Sequence, residues 1–206
     1  MSFRLRLVAL AAVLVIMGLA VAVGRNASQR QVLQAAGART QSAVTDRDLP
    51  VLSDGAAPSL LGAAGWLNSP PLTTDALAGK VVLYDFWTFG CINCQHTLSH
   101  VMAWYARYAE HGLVVVAVHT PEFAYEADPA NVQRYLIDQH ITYPVALDPE
   151  MRVWNAWDVH AWPTFALYDR AGRRRLQHVG EGGYEQTEDA IRALLDESLD
   201  SPRAKV

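Results

Sequence analysis

Cysteine is almost missing from this chain. Among 206 residues there are two, Cys91 and Cys94, so there is no framework of several disulfides and no second pair to complete a four-cysteine zinc site. Basic excess is missing too: a formal net charge of -4 gives no positive surface for nucleic acid. No Gly-rich phosphate loop, internal repeat or low-complexity run marks the part expected to fold, so nothing points to nucleotide chemistry. Covalent haem attachment needs a histidine directly after Cys-x-x-Cys, and Gln95 stands there. No cysteine directly follows the N-terminal apolar stretch, which excludes lipid attachment at that point.

What is present gathers around the two cysteines. They form Cys91-Ile92-Asn93-Cys94, directly after the apolar run Val81 to Trp87 and directly before a helix-patterned segment. A close thiol pair at a strand-to-helix corner is placed for redox chemistry. The first N–H groups of a helix lack internal partners and carry partial positive charge, which favours a thiolate there. Cys94, Leu98, Val101, Met102, Tyr105 and Ala109 recur at spacings of three and four, the signature of one buried stripe. That spacing puts Cys94 on the core-facing row and Cys91 at the exposed tip. Cys91 is therefore expected to attack and Cys94 to resolve.

Other readings of the pair compete. A structural disulfide across two intervening residues closes too short a loop to stabilise much. A metal site could recruit His96 and His100, an i, i+4 pair, but that face is offset from the sulfurs. The expectation is no metal, with both histidines simply solvated.

The surrounding residues carry a resemblance. Asp85-Phe86-Trp87-Thr88-Phe89-Gly90-Cys91-Ile92-Asn93-Cys94 resembles the active-site strand and corner of the thioredoxin superfamily, and Trp162-Pro163-Thr164 resembles its cis-proline loop. More narrowly, the chain is similar to membrane-tethered, extracytoplasmic proteins of the TlpA/ResA group. Within it, the chain looks most like the thioredoxin-like C-terminal domain of DipZ-type proteins. The residues that carry this are the Cys91–Cys94 centre, His119-Thr120-Pro121-Glu122-Phe123 and Gly180-Glu181-Gly182-Gly183-Tyr184. The similarity runs from about Trp66 to Leu195.

Asp85 interrupts an otherwise apolar strand. A buried carboxyl without a partner is costly and its pKa rises, so Asp85 could accept the proton of Cys94. Its position also matches the buried acid of the resembled superfamily; the competing reading is an Asp at a strand edge, facing water. Pro163 follows Trp162, and proline is the residue for which a cis peptide is accessible. The resemblance implies a cis bond beside Cys91, with the preceding backbone free to pair with an extended substrate. Trp162, Pro163 and Trp87 are thus the expected substrate-binding residues, although Trp162 could equally be a packed loop aromatic. Some ResA-like proteins carry a glutamate three residues after the second cysteine, where this chain has Thr97. Proton handling then rests on Asp85, with Glu122 as a candidate auxiliary acid against the plainer reading of a solvated loop carboxylate.

A thiol peroxidase is the enzymatic alternative, because Thr88-Phe89-Gly90-Cys91 has peroxiredoxin-like Thr-x-x-Cys spacing. That motif wants a proline four residues before the threonine, and Tyr84 stands there. A different class of alternative is a non-catalytic, membrane-tethered binding module whose cysteines are idle or hold a metal.

Leu7 to Val23 is uninterruptedly apolar and follows Arg4 and Arg6. As a helix it would span about 25 Å, close to a hydrocarbon core. It is expected to be an uncleaved anchor, with a cleaved signal peptide as the alternative, and its positive flank directs the remainder outside the cytoplasmic membrane. The expected organisation is a signal-anchor over 1–24, a flexible tether over 25–64, a thioredoxin-like domain over 65–200 and a tail over 201–206.

Within the domain the patterning predicts strands at 81–87, 113–118, 143–147, 164–168 and 174–179. It predicts helices at 93–111, 128–140, 150–156 and 185–199, with an added strand or hairpin near 66–72. This is an α/β layered fold with a central mixed sheet and an extra helix between its halves. The expected function is extracytoplasmic thiol-disulfide exchange with exported proteins through Cys91 and Cys94, as a reductant. No cofactor is expected beyond the redox-active disulfide. The resemblance implies a membrane protein as electron donor.

Overall fold

The computed structural model describes residues 49–53 and 55–196. The apolar segment Leu7 to Val23 and the tail 201–206 lie outside them. Among the described residues no helix is long and apolar enough to cross a membrane.

The organising element is strand β2 (Val81–Trp87), in which every residue is buried. A parallel sheet covered on both faces demands such a run. To one side β2 pairs in parallel with β3 (Leu113–His119), which pairs in parallel with β4 (Val145–Leu147). To the other it pairs antiparallel with β5 (Thr164–Tyr168), and β5 with β6 (Arg174–Val179). The short β1 (Gly65–Leu67) closes the far edge against β4, giving the order β1-β4-β3-β2-β5-β6. The mixed sheet thus has the expected form.

Alternation along β2 divides the core into two. Val81, Leu83 and Trp87 point to one face, where α2 (Ile92–Tyr108), α3 (Pro129–Asp138) and α5 (Tyr184–Asp196) contribute Val101, Trp104, Leu136 and Ile191. Val82, Tyr84 and Phe86 point to the other, against Trp154 of α4 (Arg152–Ala156), Trp157 and Leu60. The small α1 (Thr74–Leu77) is capped by the Thr73 side chain. Helix α3 starts as its sequence dictates, with the Asp128 carboxylate accepting the Ala130 N–H at 2.9 Å and Pro129 in the first turn.

Two expectations need correction. Residues 49–64 were expected to belong to a flexible tether, yet Leu49 packs against the first core, the Leu52 N–H donates to Arg174 O at 2.8 Å, and Leu60 is buried in the second. Sparse apolar residues suffice here because the open edge of β6 supplies main-chain partners. The buried row of α2 is also rotated: Cys94, Thr97, Val101 and Trp104 are buried, while Leu98, Met102 and Tyr105 are half-buried.

Candidate active site

The carboxyl end of β2 delivers Thr88, Phe89 and Gly90 into the first turn of α2. Cys91 is the N-cap residue, with extended φ and ψ of -75° and 118°. Its N–H donates to Thr88 O at 3.3 Å and its carbonyl accepts Gln95 N–H at 3.0 Å, which fixes the corner from both sides. The Gln95 side chain donates to Phe89 O at 2.8 Å. Cys91 is half-buried, whereas Cys94, one turn on, is 3 % exposed. Both thiols are free. Burial pushes the Cys94 thiol well up, opposed by the Thr88 main-chain N–H and reinforced by the neighbouring Cys91 and Asp85. The Thr97 hydroxyl donates to Cys94 O at 2.8 Å, so the residue at the position of the ResA-type glutamate serves the helix backbone instead.

Asp85 lies on the Cys94 side of β2, between Ala117 and Phe165 in register. It is 4 % exposed, and its Oδ1 is buried with no hydrogen-bond partner. Burial raises its pKa from the ordinary carboxyl range to about 7. The strand-edge reading is thereby excluded.

The Trp162–Pro163 peptide bond is cis, as the resemblance implied. Pro163 O accepts the Gly180 N–H at 2.8 Å, whereas among the described residues nothing hydrogen-bonds the Trp162 main chain. The Trp162 ring is not a free substrate-facing group. Its indole N–H donates to Thr120 O at 3.0 Å, and its ring lies 4.4 Å from that of Trp154, so it ties two loops together. Trp87, expected to bind substrate, is 4 % exposed and inside the first core, packed edge-on to His119. Its place as the last inward residue of a doubly covered strand explains this.

The candidate acid of the loop after β3 stands in solvent, and a different carboxylate is buried four residues on. Glu122 is exposed, but Glu126 is fully buried and receives three main-chain N–H groups: Gly90 at 2.7 Å, Glu122 at 2.7 Å and Phe123 at 2.9 Å. A carboxylate is tolerated in the interior when donors surround it. Nothing in the sequence marked Glu126, because its partners are backbone groups. His119 was noticed only as part of a motif. It is buried, stacks on Phe89 and lies 3.3 Å from the Thr88 hydroxyl through Nε2. Burial lowers its pKa to about 4, with Glu126 opposing.

His96 and His100 are not merely solvated. His96 lies 3.0 Å from Glu181, and His100 stacks on Tyr184 at 3.6 Å, docking α2 on the segment before α5 and on the first residue of α5. Among the described residues no group of three or more His, Cys, Asp or Glu could hold a metal ion.

This geometry has counterparts. Protein DipZ of Mycobacterium bovis is 44% identical over 149 residues, covering 71% of this chain and 21% of DipZ, so the chain spans about a fifth of that relative. The thiol-disulfide oxidoreductase YkuV of Bacillus subtilis is 26% identical over 141 residues, covering 68% of this chain and 95% of YkuV. The crystal structure of a thioredoxin-like superfamily protein superposes with a TM-score of 0.64 at 27% identity, covering 69% of this chain and 97% of that one. The fold is thioredoxin-like. The family model for AhpC/TSA matches residues 67–175, more than half of the chain and all of the corner that carries the two thiols, and this chain belongs to the AhpC/TSA family.

Proposed function

We propose that this protein is a thiol-disulfide oxidoreductase acting on disulfides of exported proteins at the outer side of the cytoplasmic membrane, as a reductant. One observation carries the chemistry: a half-exposed sulfur and a buried sulfur share the first turn of α2, and the buried one faces a carboxyl poised near neutrality. The name of YkuV supports the activity. The apolar segment Leu7 to Val23 behind Arg4 and Arg6 supports the location.

The Cys91 thiolate attacks one sulfur of a client disulfide, forming a Cys91–client disulfide and expelling the other client sulfur as a thiolate. Cys94 then loses its proton to the Asp85 carboxylate and attacks the Cys91 sulfur. The Cys91–Cys94 disulfide forms and the second client thiolate leaves. Two electrons have passed from the dithiol to the client. A membrane-borne donor returns two electrons and two protons to complete the cycle. Asp85 suits its part because proton acceptors work best when their pKa is near the working pH. The unpaired Trp162 main chain beside Pro163 offers a donor and an acceptor to an extended client segment.

Trapping tests this. Cys94→Ser should accumulate mixed disulfides with exported proteins, released by dithiothreitol, and Cys91→Ser should accumulate none. Equal trapping by both variants, or by neither, would remove the proposal. Peroxide reduction is the weaker reading, since the position where that motif wants proline is Tyr84, a buried β2 residue. Turnover of hydrogen peroxide faster than of insulin disulfides would reverse the ranking.

A further inference from the structure

Exposed large apolar side chains are few among the described residues, and those that are aromatic sit together. Phe123 and Tyr125, 51% and 54% exposed, stack 5.9 Å apart with planes only 7° from parallel. The Tyr125 ring lies 5.7 Å from that of Phe89. Its hydroxyl lies 2.6 Å from where a Cβ on Gly90 would stand, so the pair adjoins the residue before Cys91. After Cys91, Ile92 is 59% exposed. Exposed apolar side chains thus stand beside both chain neighbours of Cys91, Tyr125 against Gly90 and Ile92 itself. Scattered single apolar residues on a surface need no account, whereas a contiguous patch does.

The aromatic pair is held rigidly. Glu126 binds Gly90 with one oxygen and the Glu122 and Phe123 N–H groups with the other, clamping the turn that carries both rings to the corner that carries Cys91. Asn131 of α3 donates to Tyr125 O at 2.8 Å. Rigid aromatic rings give contact area at low entropic cost on binding.

We infer that Phe123 and Tyr125 set specificity, seating an aromatic or large aliphatic side chain that flanks the cysteine of an extended client segment. This rests on the exchange activity proposed above, whose chemistry already requires a polypeptide to lie across Cys91. The apolar groups at both chain neighbours of Cys91 say which side chains that polypeptide presents. Ser or Gly beside the client cysteine would leave the two rings in water.

The test uses two octapeptides, each closed by one internal disulfide and differing only in Phe or Ser beside the first cysteine. Both are reduced by the full dithiol protein in single-turnover kinetics. The expected result is faster reduction of the Phe peptide by roughly tenfold, the scale of a well-seated apolar group. In Phe123→Ser/Tyr125→Ser the ratio should fall to near one, and in Phe123→Leu most of it should survive. The ratio is informative because a general disturbance of the corner lowers both rates together. Equal rates with the unaltered protein, or a ratio that persists in the double variant, would overturn the assignment. Failure of the unaltered protein to reduce either peptide would instead overturn the exchange activity, and the assignment with it.

Discussion

The buried Glu126 carboxylate accepts the Gly90 N–H at 2.7 Å, joining the loop after β3 to the residue before the first cysteine. A Cβ at Gly90 would stand 2.2 Å from that carboxylate oxygen. Gly90→Ala must therefore push the acid away from its three donors. The variant should lose about 1–3 kcal/mol in urea unfolding, the range for overpacking and for unpaired buried groups. A change below about 0.5 kcal/mol would show that the clamp yields at no cost.

Asp85 links stability to pH. Its folded pKa of about 7 lies above the ordinary 3.8, so the folded state holds a proton that the unfolded state has released in that interval. Its favourable contribution is complete below about pH 4 and disappears as pH rises through 7. Asp85→Asn should thus gain stability relative to the unaltered protein between pH 4 and pH 8, on the order of 4 kcal/mol at most. The same variant should slow closure of the Cys91–Cys94 disulfide at neutral pH. Thermal melts at the two pH values and stopped-flow oxidation check both statements.

His119 tilts the profile the other way. Its folded pKa of about 4 lies below the ordinary 6.5, so stability is lost as pH falls between those values. In His119→Phe the melting temperature should fall more steeply with rising pH than in the unaltered protein, because only the Asp85 slope remains. In Asp85→Asn the opposite tilt should appear. NMR titration of the His119 ring should give a midpoint near pH 4 instead of near 6.5.

Burial separates the thiols. In the reduced protein iodoacetamide should modify half-exposed Cys91 at least roughly tenfold faster than Cys94, whose thiol is buried and pushed up. Peptide mapping of partly alkylated samples gives the ratio; similar rates would contradict the assigned roles.

A reductant also has a characteristic potential. Equilibration with glutathione should place the Cys91–Cys94 couple below about -200 mV, whereas strong oxidants of thiols lie near about -120 mV.

The elements were legible where one physical demand dominated. The apolar run of β2 reads as a strand covered on both faces, and Asp85 stands out because a charge within it has to be explained. Asp128 and Pro129 announced the start of α3. Apolar spacing on α2 favours Leu98 and Met102, whereas the structure buries Thr97, whose hydroxyl the helix backbone satisfies. Glu126 was invisible for a related reason: its donors include a main-chain N–H 36 residues away, and main-chain groups leave no trace in residue identity. Nearness to motifs points Trp87 towards substrate and leaves Trp162 open between substrate and loop packing, while in the structure both rings pack against the cores.

The bond from the Trp162 indole to Thr120 O bridges the loops on opposite flanks of the thiols. Secured in this way, the rim has little freedom to adapt its shape, so accommodation falls to the incoming polypeptide. If the exchange proposed above takes place here, a disulfide in a slack or incompletely folded stretch would reach such a mouth more readily than one locked inside a finished domain.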